Sequence, residues 1–224
     1  MRTLAALAAA LLAVAASQAR AGDVVGTVKF QGSPPAPPPL KVNKDMQHCG
    51  KTVPDESVQV SNGLVKNAVI TVKGPGAPKP APLASKVILD QKNCHYIPHV
   101  QAVPVGSTLE IVNSDPMLHN IHGYAGTTTT FNLAMPMKNQ RIPRPLKKPG
   151  VQTVKCDVHT FMIGYVVVVE APYAVTGADG AFAVKGLPAG TYTVSAWHEK
   201  FGERTAQVTV PAEGSVTASL AYGK

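Results

Sequence analysis

Charge is scarce in this chain. Only 15% of its 224 residues are Asp, Glu, Lys or Arg, which excludes the Glu- and Lys-dense helices of coiled coils and long bundles. Long apolar runs are scarcer still. The one unbroken run, residues 4–16, is too short for a membrane helix, and no later segment approaches the roughly eighteen apolar residues one needs. No cysteine follows that run to accept a lipid. The chain has no Ser/His/Asp order, no Gly-rich phosphate loop and no His-Glu-x-x-His, so the commonest hydrolytic and nucleotide chemistries have no motif to rest on. Cysteine is limited to three. An odd count allows at most one internal disulfide and leaves a thiol to be explained.

What is present begins with Arg2, the apolar run and Ala19-Arg20-Ala21, a small-x-small site, which together read as a secretion signal over residues 1–21. Removing 21 of 224 residues leaves 203, enough for one large domain or two small ones. The formal charge of +8 falls to +6 without Arg2 and Arg20, and it is not gathered into an arm or helix. An exported chain of this kind is a poor nucleic-acid binder, and an acidic protein or surface is the better electrostatic partner.

Twenty prolines and 19 glycines break short β-branched runs, so the expected fold class is all-β. Strands are expected at residues 23–30 and 67–73, followed by a Pro/Gly linker to Pro82. Further strands are expected at 86–89, 96–103, 108–112, 121–124, 151–155 and 164–170. Four more follow Tyr173, around 181–184, 191–197, 206–210 and 215–221. Asp179-Gly180-Ala181-Phe182 and Leu187-Pro188-Ala189-Gly190-Thr191-Tyr192 carry a resemblance to the second half of the carboxypeptidase regulatory-like (transthyretin-like) β-sandwich. The residues after Tyr173 are too few to bury a good sandwich core alone. Gly26-Thr27-Val28 and Ala68-Val69-Ile70-Thr71-Val72 fit the missing first half. The expected domains are therefore residues 22–80 plus 173–224, discontinuous, with residues 81–172 between them. A rival arrangement, in which the first strand belongs to the middle domain, stays open.

The chemistry is concentrated in Cys156-Asp157-Val158-His159-Thr160-Phe161-Met162. This spacing of thiolate, imidazole and thioether lets one short loop wrap a metal ion. Soft sulfur with imidazole suits copper, since Cu(I) prefers the former and Cu(II) the latter. A fourth ligand is expected from elsewhere, and His119 of His119-Asn120 is the natural choice. The segment 86–170, with Tyr96-Ile97-Pro98, Val105-Gly106-Ser107-Thr108, Val112-Asn113, the His-Asn pair and the Cys-x-x-His-x-x-Met loop before a valine-rich strand, resembles the cupredoxins of the amicyanin and plastocyanin type. The fold implied is a cupredoxin Greek-key β-sandwich inserted into or packed beside a smaller transthyretin-like β-sandwich. The resemblance further implies one type 1 copper ion held by His119, Cys156, His159 and the axial Met162, with Asn120 tying the ligand loops together. It also implies an electron exit at the outer edge of His159, through an apolar patch that Met117, Leu118, Phe161 and Pro136 could form.

With Cys156 on the metal, Cys49 and Cys94 read as a disulfide that staples the outer domain to the middle one; Cys94 with His95 in a second metal site is the alternative. His95, His99 and His122 are candidates for a weak additional copper site, although His122, three residues after His119, faces away from it on a strand. Met135 and Met137 read as apolar lining or as Cu(I) contacts. The basic stretch 138–148 reads as a solvated loop or as a docking patch for an acidic partner. Trp197 is expected in the core, and His198 and Glu199 in an exposed turn. No His-x-His pair is present to build type 2 or type 3 copper, so an enzyme is not expected. The leading expectation is an exported, most plainly periplasmic, one-electron carrier between redox partners. Copper buffering or delivery, and an adhesion or scaffold role, are the alternatives.

Overall fold

The structure is a computed structural model that describes residues 21–223, so the secretion signal read in residues 1–21 lies outside the described residues except for Ala21. The chain opens with β1 (Ala21–Gln31). A strap follows, made of β2 (Leu40–Lys41), α1 (Met46–Cys49) and β3 (Thr52–Val53). Next come β4 (Val60–Ser61), β5 (Leu64–Val65) and β6 (Val69–Lys73). The middle segment holds β7 (Val87–Lys92), β8 (His95–Ile97), β9 (Val100–Pro104), β10 (Thr108–Asn113), β11 (His119–Ala125), β12 (Thr128–Met135), β13 (Gln140–Pro145), β14 (Gly150–Lys155) and β15 (Ile163–Val169). The last part is β16 (Tyr173–Val175), β17 (Ala181–Pro188), β18 (Gly190–His198), β19 (Gly202–Val210) and β20 (Ser215–Gly223).

The fold class is all-β, as expected. In the middle segment, β13-β10-β7-β8 form one sheet and β12-β11-β14-β15-β9 the other. Elsewhere, β17-β1-β5-β4 form a sheet with β20 beside β1, and it faces the sheet β16-β6-β18-β19. Strand β1 is pressed so closely between its neighbours that a Cβ on Gly26 would stand 2.0 Å from the Ala218 carbonyl oxygen. Val24, Val28, Ile70, Tyr192, Leu220 and Tyr222 are among the side chains buried between these two sheets. A second core, with Leu89, Tyr96, Ile111, Ile121, Val154 and Val166, fills the middle sandwich.

The valine run of β15 shows how the two sandwiches meet. Val166 and Val168 enter the middle core, while the alternate Val167 and Val169 pack with Val69 and Val100 in a third cluster between the sandwiches. Alternate side chains of a strand leave by opposite faces, so a strand covered on both faces is apolar throughout.

Several expectations need correction. The run 96–103 is not one strand: it breaks at the cis Ile97–Pro98 bond, and β8 and β9 lie in different sheets. The basic stretch is not a loop at residues 140–145, which form β13. This strand pairs only with β10, and an edge strand tolerates Pro143 and Pro145 because it needs no ladder donor on its free side. Strand β12 and the short elements from β2 to β5 were not anticipated, and the residues after Tyr173 hold five strands rather than four.

The expected exposed turn at His198 and Glu199 is also overturned. His198 is 2% exposed and stacks on Phe201 at 4.5 Å, and the Glu199 side chain, 4% exposed, is hydrogen-bonded to His99 Nε2. Trp197, expected in the core, is only partly buried, and it packs in the cluster between the sandwiches. Polar groups can be buried when they are paired. Burial pushes the pKa of His198 down to about 4 against weaker opposing charges. Between that value and the roughly 6.5 of an unfolded histidine, only the unfolded chain takes the proton. Stability therefore falls as pH drops from 6.5 to 4, by about 3 kcal/mol at most. Urea unfolding across that range should show a shallower pH slope for His198→Phe than for the parent chain.

Candidate metal centre

Two adjacent structures build the site. Strand β11 begins at His119, directly after the loop that leaves β10, and the β14–β15 connection carries Cys156, His159 and Met162. That connection is a tight turn in which the Met162 amide donates to the His159 carbonyl (2.9 Å) and the His159 amide to the Cys156 sulfur (3.4 Å). His119 and His159 are 0% exposed, and Cys156 and Met162 are 2% exposed.

The metal-ligating atoms of His119, Cys156 and His159 lie within 4.8 Å of one another. Cys156 Sγ stands 3.9 Å from His119 Nδ1 and 3.8 Å from His159 Nδ1. These separations are long for direct bonds but suit a shared ion, given metal–sulfur and metal–nitrogen bonds of about 2.3 and 2.0 Å. The donor set is one soft thiolate and two imidazoles with a buried thioether in the same loop, which fits copper. Burial resists ionisation of Cys156, but hydrogen bonds from the side chains of His119 and His159 and from the backbone of Asn120 and His159 outweigh it and bring its pKa down to about 6. Burial likewise resists a charge on His119, and Asp115 with Cys156 outweighs that, raising it to about 9.

Asn120 bridges the two structures. Its Oδ1 accepts from the Cys156 thiol (3.4 Å) and the Asp157 amide (2.7 Å), while its Nδ2 donates to Asn132 (2.9 Å) and Asp157 (2.8 Å). The Tyr96 hydroxyl donates to the Asn120 carbonyl at 3.0 Å. Asn113, wholly buried, ties the preceding loop down by donating to the carbonyls of Met117 (2.9 Å) and Met135 (2.8 Å).

The outer edge of His159 does not reach the surface. Its Nε2 lies 2.9 Å from Asp45 Oδ2, and α1 of the strap begins at that aspartate. The strap is held by Val42 and Val53, both buried, and by Asn43 Nδ2 donating to the Val158 carbonyl at 3.3 Å. Cys49 and Cys94 form the disulfide, with Cα atoms 5.7 Å apart, and this removes the alternative of Cys94 in a second metal site. The exposed apolar side chains Met46, Leu118 and Met137 lie on segments adjoining the site, whereas Met135 is fully buried.

Of the other histidines, His95 and His99 meet at Glu56, and His122 bonds to other partners. His95 Nδ1 lies 3.2 Å from Glu56, and His99, 7% exposed, is shared by Glu56 and Glu199. His122 belongs to a different network with Asp157, Tyr124 and Thr129. Among the described residues, none of the three joins a group of three closely spaced metal-ligating side chains.

Sequence reasoning missed Asp45 and Asp115. Asp115 Oδ2 lies 2.9 Å from His119 Nε2, and the same carboxylate accepts from the amides of Asn93 (2.7 Å) and Cys94 (2.8 Å). Burial opposes its ionisation, and these bonds with that of His48 hold it well below the usual carboxylate range. Asp115, four residues before His119, was within reach of a local search. Asp45 carries no local signal.

Residues 161–222 match the family model of the carboxypeptidase regulatory-like domain, beginning within the metal-ligating loop and including β15. No curated protein matches the chain. Among solved structures, amicyanin from Paracoccus versutus is 25% identical over 45% of this chain and 97% of its own, with a TM-score of 0.35. A Cu(I) form of an amicyanin variant is 28% identical over 45% and 98%, with a TM-score of 0.34. A copper-containing nitrite reductase from Thermus scotoductus SA-01 is 25% identical over 44% of this chain and only 25% of its own, with a TM-score of 0.34. About 45% of this chain is similar to amicyanin, and residues 161–222 are similar to the carboxypeptidase regulatory-like domain.

Proposed function

We propose that the protein is an exported, mononuclear type 1 copper protein that carries single electrons between redox partners. The observation that carries this reading is the convergence of His119 Nδ1, His159 Nδ1 and Cys156 Sγ in a buried site with Met162 in the same loop. Copper held there would supply one-electron cycling between Cu(I) and Cu(II). The chain's part is to keep the geometry fixed: Asn120 locks the cysteine loop to β11, and burial excludes water and competing ligands. The middle unit is read as residues 81–172 and the outer unit as residues 22–80 plus 173–224. The Cys49–Cys94 disulfide supports an oxidising compartment, and no helix among the described residues is long and apolar enough to cross a membrane. A carrier rather than an enzyme is favoured because the ligands supply one mononuclear site and the sequence has no His-x-His pair. Met46, Leu118 and Met137 are exposed apolar side chains on segments adjoining the site, where a transient redox partner would dock.

The test is a visible and EPR spectrum of the mature protein after one equivalent of Cu(II). An intense orange-red band with narrow copper hyperfine splitting supports the reading, while an ordinary tetragonal copper signal overturns it. Met162→Leu should retain the band and raise the reduction potential, since a weak donor to Cu(II) is removed; spectroelectrochemistry measures it. The sealed edge of His159 favours a second reading, copper storage or delivery. Slow electron self-exchange with readily exchangeable copper would select it.

A further inference from the structure

Both candidate imidazole ligands commit their outer nitrogen to a carboxylate. Nε2 of His119 lies 2.9 Å from Asp115, and Nε2 of His159 lies 2.9 Å from Asp45. An ionised carboxylate only accepts, so each Nε2 carries a proton. In the neutral ring this leaves the lone pair on Nδ1, the atom that faces the Cys156 sulfur.

The carboxylates are themselves held. Asp115, 2% exposed, accepts from two backbone amides and from His48. The Asp45 carbonyl accepts from the amides of His48 and Cys49. The Cys49–Cys94 bridge then couples the two, because Cys49 closes the helix that Asp45 opens and the Cys94 amide donates to Asp115. One cross-linked strap therefore sets the position of both charges.

We propose that Asp45 and Asp115 are positioning residues for the metal centre, each fixing one imidazole through Nε2–H and together biasing the site toward Cu(II) over Cu(I). The redox part rests on the type 1 reading above, and the ring-positioning part does not. A carboxylate bonded to the far nitrogen makes the imidazole a better donor. A fixed negative charge at a given distance also attracts a doubly charged ion about twice as strongly as a singly charged one. A ring bonded to a backbone carbonyl or to water would have no such bias.

The experiment compares Asp45→Asn, Asp115→Asn and Glu110→Gln. Asparagine keeps an oxygen to accept from Nε2–H and removes the charge. Glu110 pairs with Lys86 and Arg141 and touches no ligand, so it controls for net charge. Each Asn variant should shift the ratio of Cu(II) to Cu(I) affinity about tenfold toward Cu(I), a rise of about 59 mV in potential for one electron. Glu110→Gln should leave the ratio where it was. Asp45→Ala, on the partly exposed strap, should release copper roughly ten- to a hundredfold faster.

Independently of copper, long-range 1H–15N spectra of the metal-free protein at pH 10 should show His119 and His159 as Nε2–H tautomers, with His159 losing that preference in Asp45→Ala. Potentials in the Asn variants that match Glu110→Gln overturn the electrostatic bias. An Nδ1–H tautomer in the parent protein overturns the positioning. Parent protein with the Nε2–H tautomers but no thiolate–copper band upholds the positioning and overturns the type 1 reading alone.

Discussion

Cys156→Ser abolishes the intense visible band and lowers Cu(I) affinity by at least a hundredfold. The sulfur is at once the soft donor that Cu(I) needs and the source of the charge-transfer absorption, and a hydroxyl supplies neither. Its loss exceeds the effect expected for an outer partner, which costs roughly ten- to a hundredfold. His119 and His159 remain to bind Cu(II) as an ordinary nitrogen site, so the variant should give a tetragonal EPR signal rather than none. Titration with Cu(I) against a competing chelator, together with EPR of the Cu(II) form, measures both halves. Retention of the band would mean that the thiolate is not a ligand.

Removing the disulfide has the largest effect on stability. Cys49 and Cys94 are 45 residues apart in sequence, and closing such a loop contributes about 4 kcal/mol in the chain-entropy account. For a domain pair of this size the double Ser variant should melt about 8–16 °C lower. The effect does not stop at stability. The same bridge holds the strap over His159 and sits beside the amide that fixes Asp115, so copper release should quicken as well. Calorimetry of the two forms reads the first effect and chelator-driven copper loss the second. A variant that melts lower yet releases copper at the parent rate would show that the strap stays seated without its fastening.

The parts legible in the sequence were those whose signal is local. Cys156, His159 and Met162 stand out by their spacing within one turn, and Asn120 only through the family resemblance that its place next to His119 carries. The alternation in 69–73 and 108–112 and the valine run of β15 follow from one or two buried faces. Signals failed where the determinant is distant or where a rule works in reverse. Proline usually argues against a strand, yet Pro143 and Pro145 sit comfortably on the free edge of β13. Glu199 reads as part of an exposed turn because it is polar; its side chain is buried because His99 supplies its partner across 100 positions. Asp45 meets His159 across 114 positions, a contact that no periodicity encodes. For that reason the family resemblance implies an open edge at His159 where the structure has a cover.

The parallel pairing of β1 with β20, from Asp23 opposite Ser215 to Gln31 opposite Gly223, sets an order of events during synthesis. Among the described strands β20 follows all the others in the chain, so the most extensive pairing of β1 is the latest to become available. The strands from β7 to β15 find all their ladder partners among themselves and are complete once Val169 has been made. The ligand-bearing strands can therefore pair while β1 still lacks both β17 and β20. A chain cut short before Ser215 would keep a finished metal pocket joined to an open sheet edge, and such edges recruit other chains into aggregates.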